Sequence, residues 1–538
     1  MESPRVADRA VLVSRSVRLD GAVPSFRTLV DAMASPRTVW DAPGEATVIA
    51  GGAAATLTAG GPNRFDRIRE AADRLFRTGD VHAGTEAACP RLFGGFAFYG
   101  DSADDDARDD PWAGFPDARF VFPRVQVTHT ESGPWLTVNV VGPDASVEAV
   151  EQRIADERER LTALTDDQPP TPRPGILTRR RTTTPEAWRE VVTTATNRIA
   201  AGTLQKVVLA QALEVDLAAD LAVCDVLDRL GDHYPNCTRF LVEPNAMGGE
   251  RDDDAGDETD SATTENQPDD NTTQNGGSPP GGAAQSAFFG ATPERLVSLR
   301  GRTVATDALA GTTGRGETPA EDEWLARELM ADAKNTHEHD LVADTIGEQL
   351  APFAASVSVG ERGIRRLATV QHLHTPITAE LAADTHVLSL VEALHPTPAV
   401  GGLPPERALE TIRETEPFDR GWYAAPIGWI DAAGNGTFAV GLRSAVATRR
   451  RATLFAGVGI VADSDPDREW DEVELKFRPM LDELESNGDV DSDDVEDAAS
   501  GDTDVDAAGS DADVVGTETT PVDRDVENSA DRDVDANH

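Results

Sequence analysis

Residues 243–285, EPNAMGGERDDDAGDETDSATTENQPDDNTTQNGGSPPGGAAQ, restrict the fold more than any other feature of the chain. They are rich in Gly, Asp, Asn and Thr and hold almost nothing to bury, so they cannot offset the entropy lost on ordering. A disordered insertion is expected over 244–286, where ten acids face one arginine. Strand-like AFFGATP resumes at residue 287, so the ordered fold must close across the gap. A second segment of this kind ends the chain. Residues 487–538 carry eighteen acids against two arginines and a short near-repeat, DRDVENSA then DRDVDANH, and are expected to be a solvated acidic tail.

The net charge is −47 over 538 residues, and the two acidic segments leave −22 on the rest (−47 + 9 + 16). A body this acidic suits solubility in a high-salt cytoplasm. It excludes nucleic acid and anionic membrane as partners, since phosphate recognition needs clustered Lys and Arg. No apolar run approaches membrane-spanning length, and the N-terminus lacks the apolar core of a leader, so a cytoplasmic protein is expected. Cys89, Cys224 and Cys237 form no CxxC pair, which argues against a disulfide framework or a thiolate metal site.

Several elements are legible from periodicity and caps. Residues 65–76 and 147–164 follow helical spacing, and 93–100 and 119–130 read as strands, giving an N-terminal lobe over 1–167. ADDDARDD, at 103–110, is an acidic loop. The prolines of QPPTPRPG mark a linker, taken as 168–184. A second, larger region then runs over 185–486. Thr184 and Pro185 open a helix that Gly202 closes, and QKVVLAQALEVDL follows as a strand. Residues 321–353 form one or two amphipathic helices. Asp465 and Pro466 start a last helix that runs to about Glu485.

On that last helix Glu469, Glu472 and Lys476 fall in a stripe about 60° wide, beside an apolar face of Trp470, Val473, Phe477, Met480 and Leu484. Two carboxylates and little else suit Mg²⁺, which keeps waters and completes its shell with an anionic ligand. An ordinary surface Glu–Lys pair accounts for the same spacing. Glu338, in KNTHEHDLV, is the natural partner ligand from the other acidic helix. His337 and His339, together with His372 and His374 of QHLHT, raise a zinc reading; His337 and His339 diverge by about 200° on a helix, so HEH cannot chelate as HExxH does, and zinc stays the minor alternative. AGVGIV lacks the third glycine of a dinucleotide fingerprint. Only three of the 49 basic residues are lysine, Lys206, Lys334 and Lys476, and all three lie in motif-like segments. An ammonium can lose its proton when desolvated; a guanidinium cannot.

In order, KVVLAQ (206–211), GATPERL, ALAGTT, KNTHEH, QHLHT, LHPTPAVGG, WYAAPIGW, RSA, AGVGIVADSDPDREW and EWDEVELK resemble the motifs of chorismate-using enzymes, and most resemble isochorismate synthases of the menaquinone and siderophore type. The resemblance spans about 185–485; before residue 165 only FGGFAF is familiar. It implies an α+β fold with two central β-sheets flanked by helices, and a Mg²⁺-dependent addition of water at C2 of chorismate with loss of the C4 hydroxyl. It makes Lys206 the general base and Glu294 the general acid. Glu338 and Glu472 become metal ligands, with Glu469 nearby. Arg443, Tyr423, Gly457, Gly459 and Lys476 match positions that hold the substrate carboxylates, and Gly311, Thr312, His372 and Thr397 other pocket positions.

Acid and base need contrasting environments, a desolvated amine and a carboxyl kept protonated by burial. Chorismate is a dianion, so an acidic protein needs local positive charge, which Mg²⁺, Arg443 and Lys476 would supply. Gln211 departs from the arginine usual after KVVLA, and Lys334 has no role beyond its motif. The competing readings are a salicylate synthase, an ammonia-using anthranilate or aminodeoxychorismate synthase, and a non-catalytic acidic interaction protein. Quinone synthesis is the expected destination; the chain is compatible with a monomer.

Overall fold

The computed structural model describes residues 11–20, 23–101, 110–244 and 286–486. The acidic loop, the insertion and the tail expected from the sequence fall, apart from residues 110, 244 and 286, outside them. Either side of the insertion, strands Thr238–Val242 and Ala287–Thr292 pair antiparallel, so the sheet is continuous across it.

The helices begin where their caps place them. The Thr184 hydroxyl accepts from the Ala187 amide ahead of helix Pro185–Ala200, and Gly202 follows with φ of 75°. Asp465 accepts from the amides of Asp467 and Arg468 ahead of Pro466–Leu484, which continues through Pro479. The acidic segment 321–353 gives two helices, Pro319–Ala331 and Ala333–Leu350. Asp332 divides them; its carboxylate accepts from the Asn335 amide and starts the second.

Strand Ala118–Thr130 organises the sheets. One edge carries Thr47–Ala59, and the other carries Leu92–Phe96 and then Gly133–Gly142. From Thr47–Ala59 one arm runs through Arg37–Asp41, Thr238–Val242, Ala287–Thr292, Ser444–Ala447 and Arg451–Ile460 to Lys206–Leu217. From Leu92–Phe96 a second arm runs through Pro426–Ile430, Gly436–Val440, Arg295–Arg300 and Thr303–Gly314 to Val370–Leu381. The two central sheets are therefore two arms of one hydrogen-bonded network. Every pairing along both arms is antiparallel, as an α+β architecture requires. Phe96, Phe120 and Phe438 pack together where the arms join, each burial contributing roughly 2–3 kcal/mol.

One expectation is corrected. The segment taken as a linker contains a strand, Ile176–Arg181, which forms an edge beside Lys206–Leu217. Its sequence, ILTRRR, lacks apolar alternation because most of its side chains are exposed at the edge, where charge also deters pairing with other chains. Helix Ala333–Leu350 packs on Thr303–Gly314 and Val370–Leu381, and helix Pro466–Leu484 packs on Arg451–Ile460. Both acidic helices thereby face the open ends of the two arms.

Candidate active site

A cavity lies where these helices meet the strand ends, and every residue predicted for the site lines it except Thr397. Thr397 is buried, and its hydroxyl favours the charged form of Glu294. Lys206 opens its strand opposite Leu403 and is 1% exposed. Its ammonium lies 2.7 Å from Glu338 Oε1. On the paired strand a Cβ at Gly459 would lie 2.7 Å from that same oxygen and 3.0 Å from Lys206 Cε. Only glycine leaves room for the pair.

Glu294 lines the same cavity from the turn between Ala287–Thr292 and Arg295–Arg300. The turn is pinned to the neighbouring strand: the Thr292 hydroxyl donates to the Val440 carbonyl, and the Val440 amide donates to the Glu294 carbonyl. Burial pushes the Glu294 carboxyl up to about 7, with Lys206 pulling it back. A carboxylic acid that keeps its proton near neutrality is suited to donating one.

Glu469 and Glu472 enter from Pro466–Leu484. Lys476 Nζ lies 2.8 Å from Glu472 Oε1 and donates to the Gly457 carbonyl at 2.9 Å. Burial would raise the Glu472 carboxyl, but the Lys476 ammonium beside it holds it below the usual range. Lys334 Nζ meets Glu469 Oε1 at 3.2 Å. Burial raises Glu469, against the pull of Lys334. Among the described residues no three His, Cys, Asp or Glu side chains cluster as a metal site. Two carboxylates from facing helices, completed by water and an anionic ligand, still fit Mg²⁺.

Among the described residues the histidines gather no zinc site. His339 Nε2 bonds the Thr375 hydroxyl at 2.7 Å and His374 Nε2 the Asp307 carboxylate at 2.9 Å, and neither residue lines the cavity. His372 does line it: its Nδ1 meets the Thr312 hydroxyl, while its buried Nε2 has no protein partner. Burial, reinforced by Arg443 and Lys476, holds this imidazole well below its ordinary value and therefore neutral. Gly311, φ 75°, is the extra residue of a bulge that interrupts pairing with Val370–Leu381 and sets Thr312 beside His372.

Arg443 is buried with φ of 49°, a conformation that side-chain-bearing residues rarely adopt, and Ala424 close by has φ of 58°. Among the described residues Arg443 forms no ion pair, which leaves its guanidinium for a carboxylate ligand. Tyr423 stacks on Phe455 with centroids 5.2 Å apart.

Sequence reasoning missed Arg420 and Glu416. Arg420, in FDRGWY, donates to the Val208 carbonyl at 2.8 Å and the Val400 carbonyl at 2.9 Å. Glu416 receives Arg420 and also the Ala210 amide. The pair clamps the Lys206 strand to the loop bearing Thr397. The structure also accounts for Gln211. Arg181, on the unpredicted edge strand, donates to its Oε1 at 2.8 Å, so a guanidinium arrives from the adjacent strand.

The chain matches the family model described as chorismate binding enzyme over residues 3–248 and 281–485. It is 34% identical over 487 residues to the salicylate biosynthesis isochorismate synthase of Pseudomonas aeruginosa, covering 90% of this chain and 92% of that one. It is 32% identical over 500 residues to isochorismate synthase MenF of Bacillus subtilis, covering 90% and 96%. The solved structure of MenF, the menaquinone-specific isochorismate synthase from Escherichia coli, superposes with a TM-score of 0.69 at 24% identity, covering 90% of this chain and 96% of that one. Anthranilate synthase component I from Streptococcus pneumoniae shares the fold with a TM-score of 0.59 at 20% identity, covering 87% and 92%.

Proposed function

The chain belongs to the chorismate binding enzyme family, and from that premise we propose that it is an isochorismate synthase, an isomerase acting on chorismate. Water adds at C2, the ring double bonds shift, and the C4 hydroxyl leaves as water. The observation that carries this reading is that Lys206 and Glu294 line one cavity, an amine and a carboxyl that burial keeps protonated.

Parted from Glu338 and in its neutral amine form, Lys206 takes the proton from the attacking water. Glu294 gives its proton to the departing C4 hydroxyl, so that base and acid act on opposite sides of the ring. Arg443 pairs with one substrate carboxylate, and Lys476 adds charge beside it. His372 Nε2, neutral and unpartnered, is placed to hydrogen-bond the substrate. Mg²⁺ would be held by Glu338 and Glu472, with Glu469 beside them, and supplies positive charge against the dianion.

Relatives serve more than one pathway by name: the P. aeruginosa protein salicylate biosynthesis, the E. coli enzyme menaquinone. For this chain the proposal is menaquinone synthesis in the cytoplasm. No described helix is long and apolar enough to cross a membrane. Incubation with chorismate and Mg²⁺, with and without ammonium, followed by chromatography, is expected to give isochorismate in both cases. Anthranilate appearing with ammonium, or salicylate without it, would overturn the assignment.

A further inference from the structure

The chain holds three lysines among its 49 basic residues, and each meets a different glutamate of the cavity. Lys206 pairs with Glu338 at 2.7 Å, Lys476 with Glu472 at 2.8 Å and Lys334 with Glu469 at 3.2 Å. The six charges cancel. The first two lysines already have tasks in the proposed reaction, whereas Lys334 has none. It lies in helix Ala333–Leu350, across the cavity from Glu469 on Pro466–Leu484, and its contact joins the two helices that carry the acidic side chains. Its own side chain is 35% exposed, but that of Glu469 is only 5% exposed. A surface ion pair of little consequence does not describe a contact whose acid is buried beside a second carboxylate.

We propose that Lys334 is a positioning residue that neutralises Glu469, so that the cavity offers one uncancelled negative charge fewer to a cation than it would without this lysine and stays receptive to a dianion. The inference rests on the reading of this cavity as a site for Mg²⁺ and chorismate. Its chemistry is simple electrostatics. With Lys334 in place, Glu469 neither draws the cation strongly nor repels the substrate. Without it, one uncancelled negative charge remains near both ligands, in surroundings that screen poorly.

Calorimetric titration of the substrate-free full chain with MgCl₂ tests this without relying on turnover. Lys334→Met is expected to bind Mg²⁺ about tenfold more tightly than wild type, and steady-state assays to show a KM for chorismate raised about tenfold with a smaller change in kcat. Lys334→Arg restores the charge and is expected to return both quantities toward wild type, which a loss of packing alone would not do. Thermal melting shows whether each variant folds; if Lys334→Met does not, Lys334→Gln carries the same expectation. Unchanged or weaker Mg²⁺ binding in the folded neutral variant, while wild type binds the ion, overturns the role of Lys334 alone. Wild-type protein that binds no Mg²⁺ overturns this proposal together with the metal-site reading.

Discussion

Two buried ion pairs flank the strand that begins at Lys206, and they are built for opposite ends. Arg420 and Glu416 spend their polar atoms on each other and on three backbone groups, the carbonyls of Val208 and Val400 and the amide of Ala210. Lys206 and Glu338 meet through one contact, in a wall where Gly459 leaves no bulk. The difference teaches where strength is wanted. A fork of fixed donors holds two segments in register, whereas a point charge on a flexible stem can let go of one partner and take up another.

The comparison is broken most sharply at Lys206. Lys206→Met should lower the rate of water addition by about 10² to 10⁴-fold, the usual worth of a general base, in protein that thermal melting shows to be folded. A folded variant with full turnover removes Lys206 as the base. Glu294→Gln is expected to cost a similar factor and to change the pH profile. With its carboxyl pushed up to about 7, Glu294 is protonated and competent below that value and loses its proton above it. The wild-type rate should therefore fall on the alkaline side as pH rises through about 7, and the glutamine variant should lack that limb. An unaltered limb in Glu294→Gln assigns it to another group.

Arg420→Met probes the other pair. It strands Glu416 in the interior and should destabilise the fold by about 3–5 kcal/mol in chemical denaturation. A cost near zero would mean that the clamp is dispensable. At the small end, Asp465→Ala removes the cap of the helix that carries Glu469 and Glu472 and should cost about 1 kcal/mol; differential scanning calorimetry resolves this.

What the sequence made legible follows from how local each signal is. Thr184–Pro185 and Asp465–Pro466 mark helix starts within two residues, and the structure begins both helices there. The motifs located the side chains that line the cavity, some of them in short segments of special backbone such as the bulge at Gly311 or the positive φ of Arg443. The Arg420 clamp was not legible, since its acceptor at Val208 lies 212 residues away and no periodicity links the two. Ile176–Arg181 was missed because an exposed edge strand needs no apolar alternation. The scarcity of lysine was visible from the outset, but its meaning came from three distances that only a fold supplies.

The central claim is that water enters at one carbon while a hydroxyl leaves from another. Turnover of chorismate in heavy-oxygen water, with the product resolved by mass spectrometry, measures this directly. The account predicts isochorismate carrying one heavy oxygen, located on the C2 hydroxyl. Isochorismate formed without that label would contradict it.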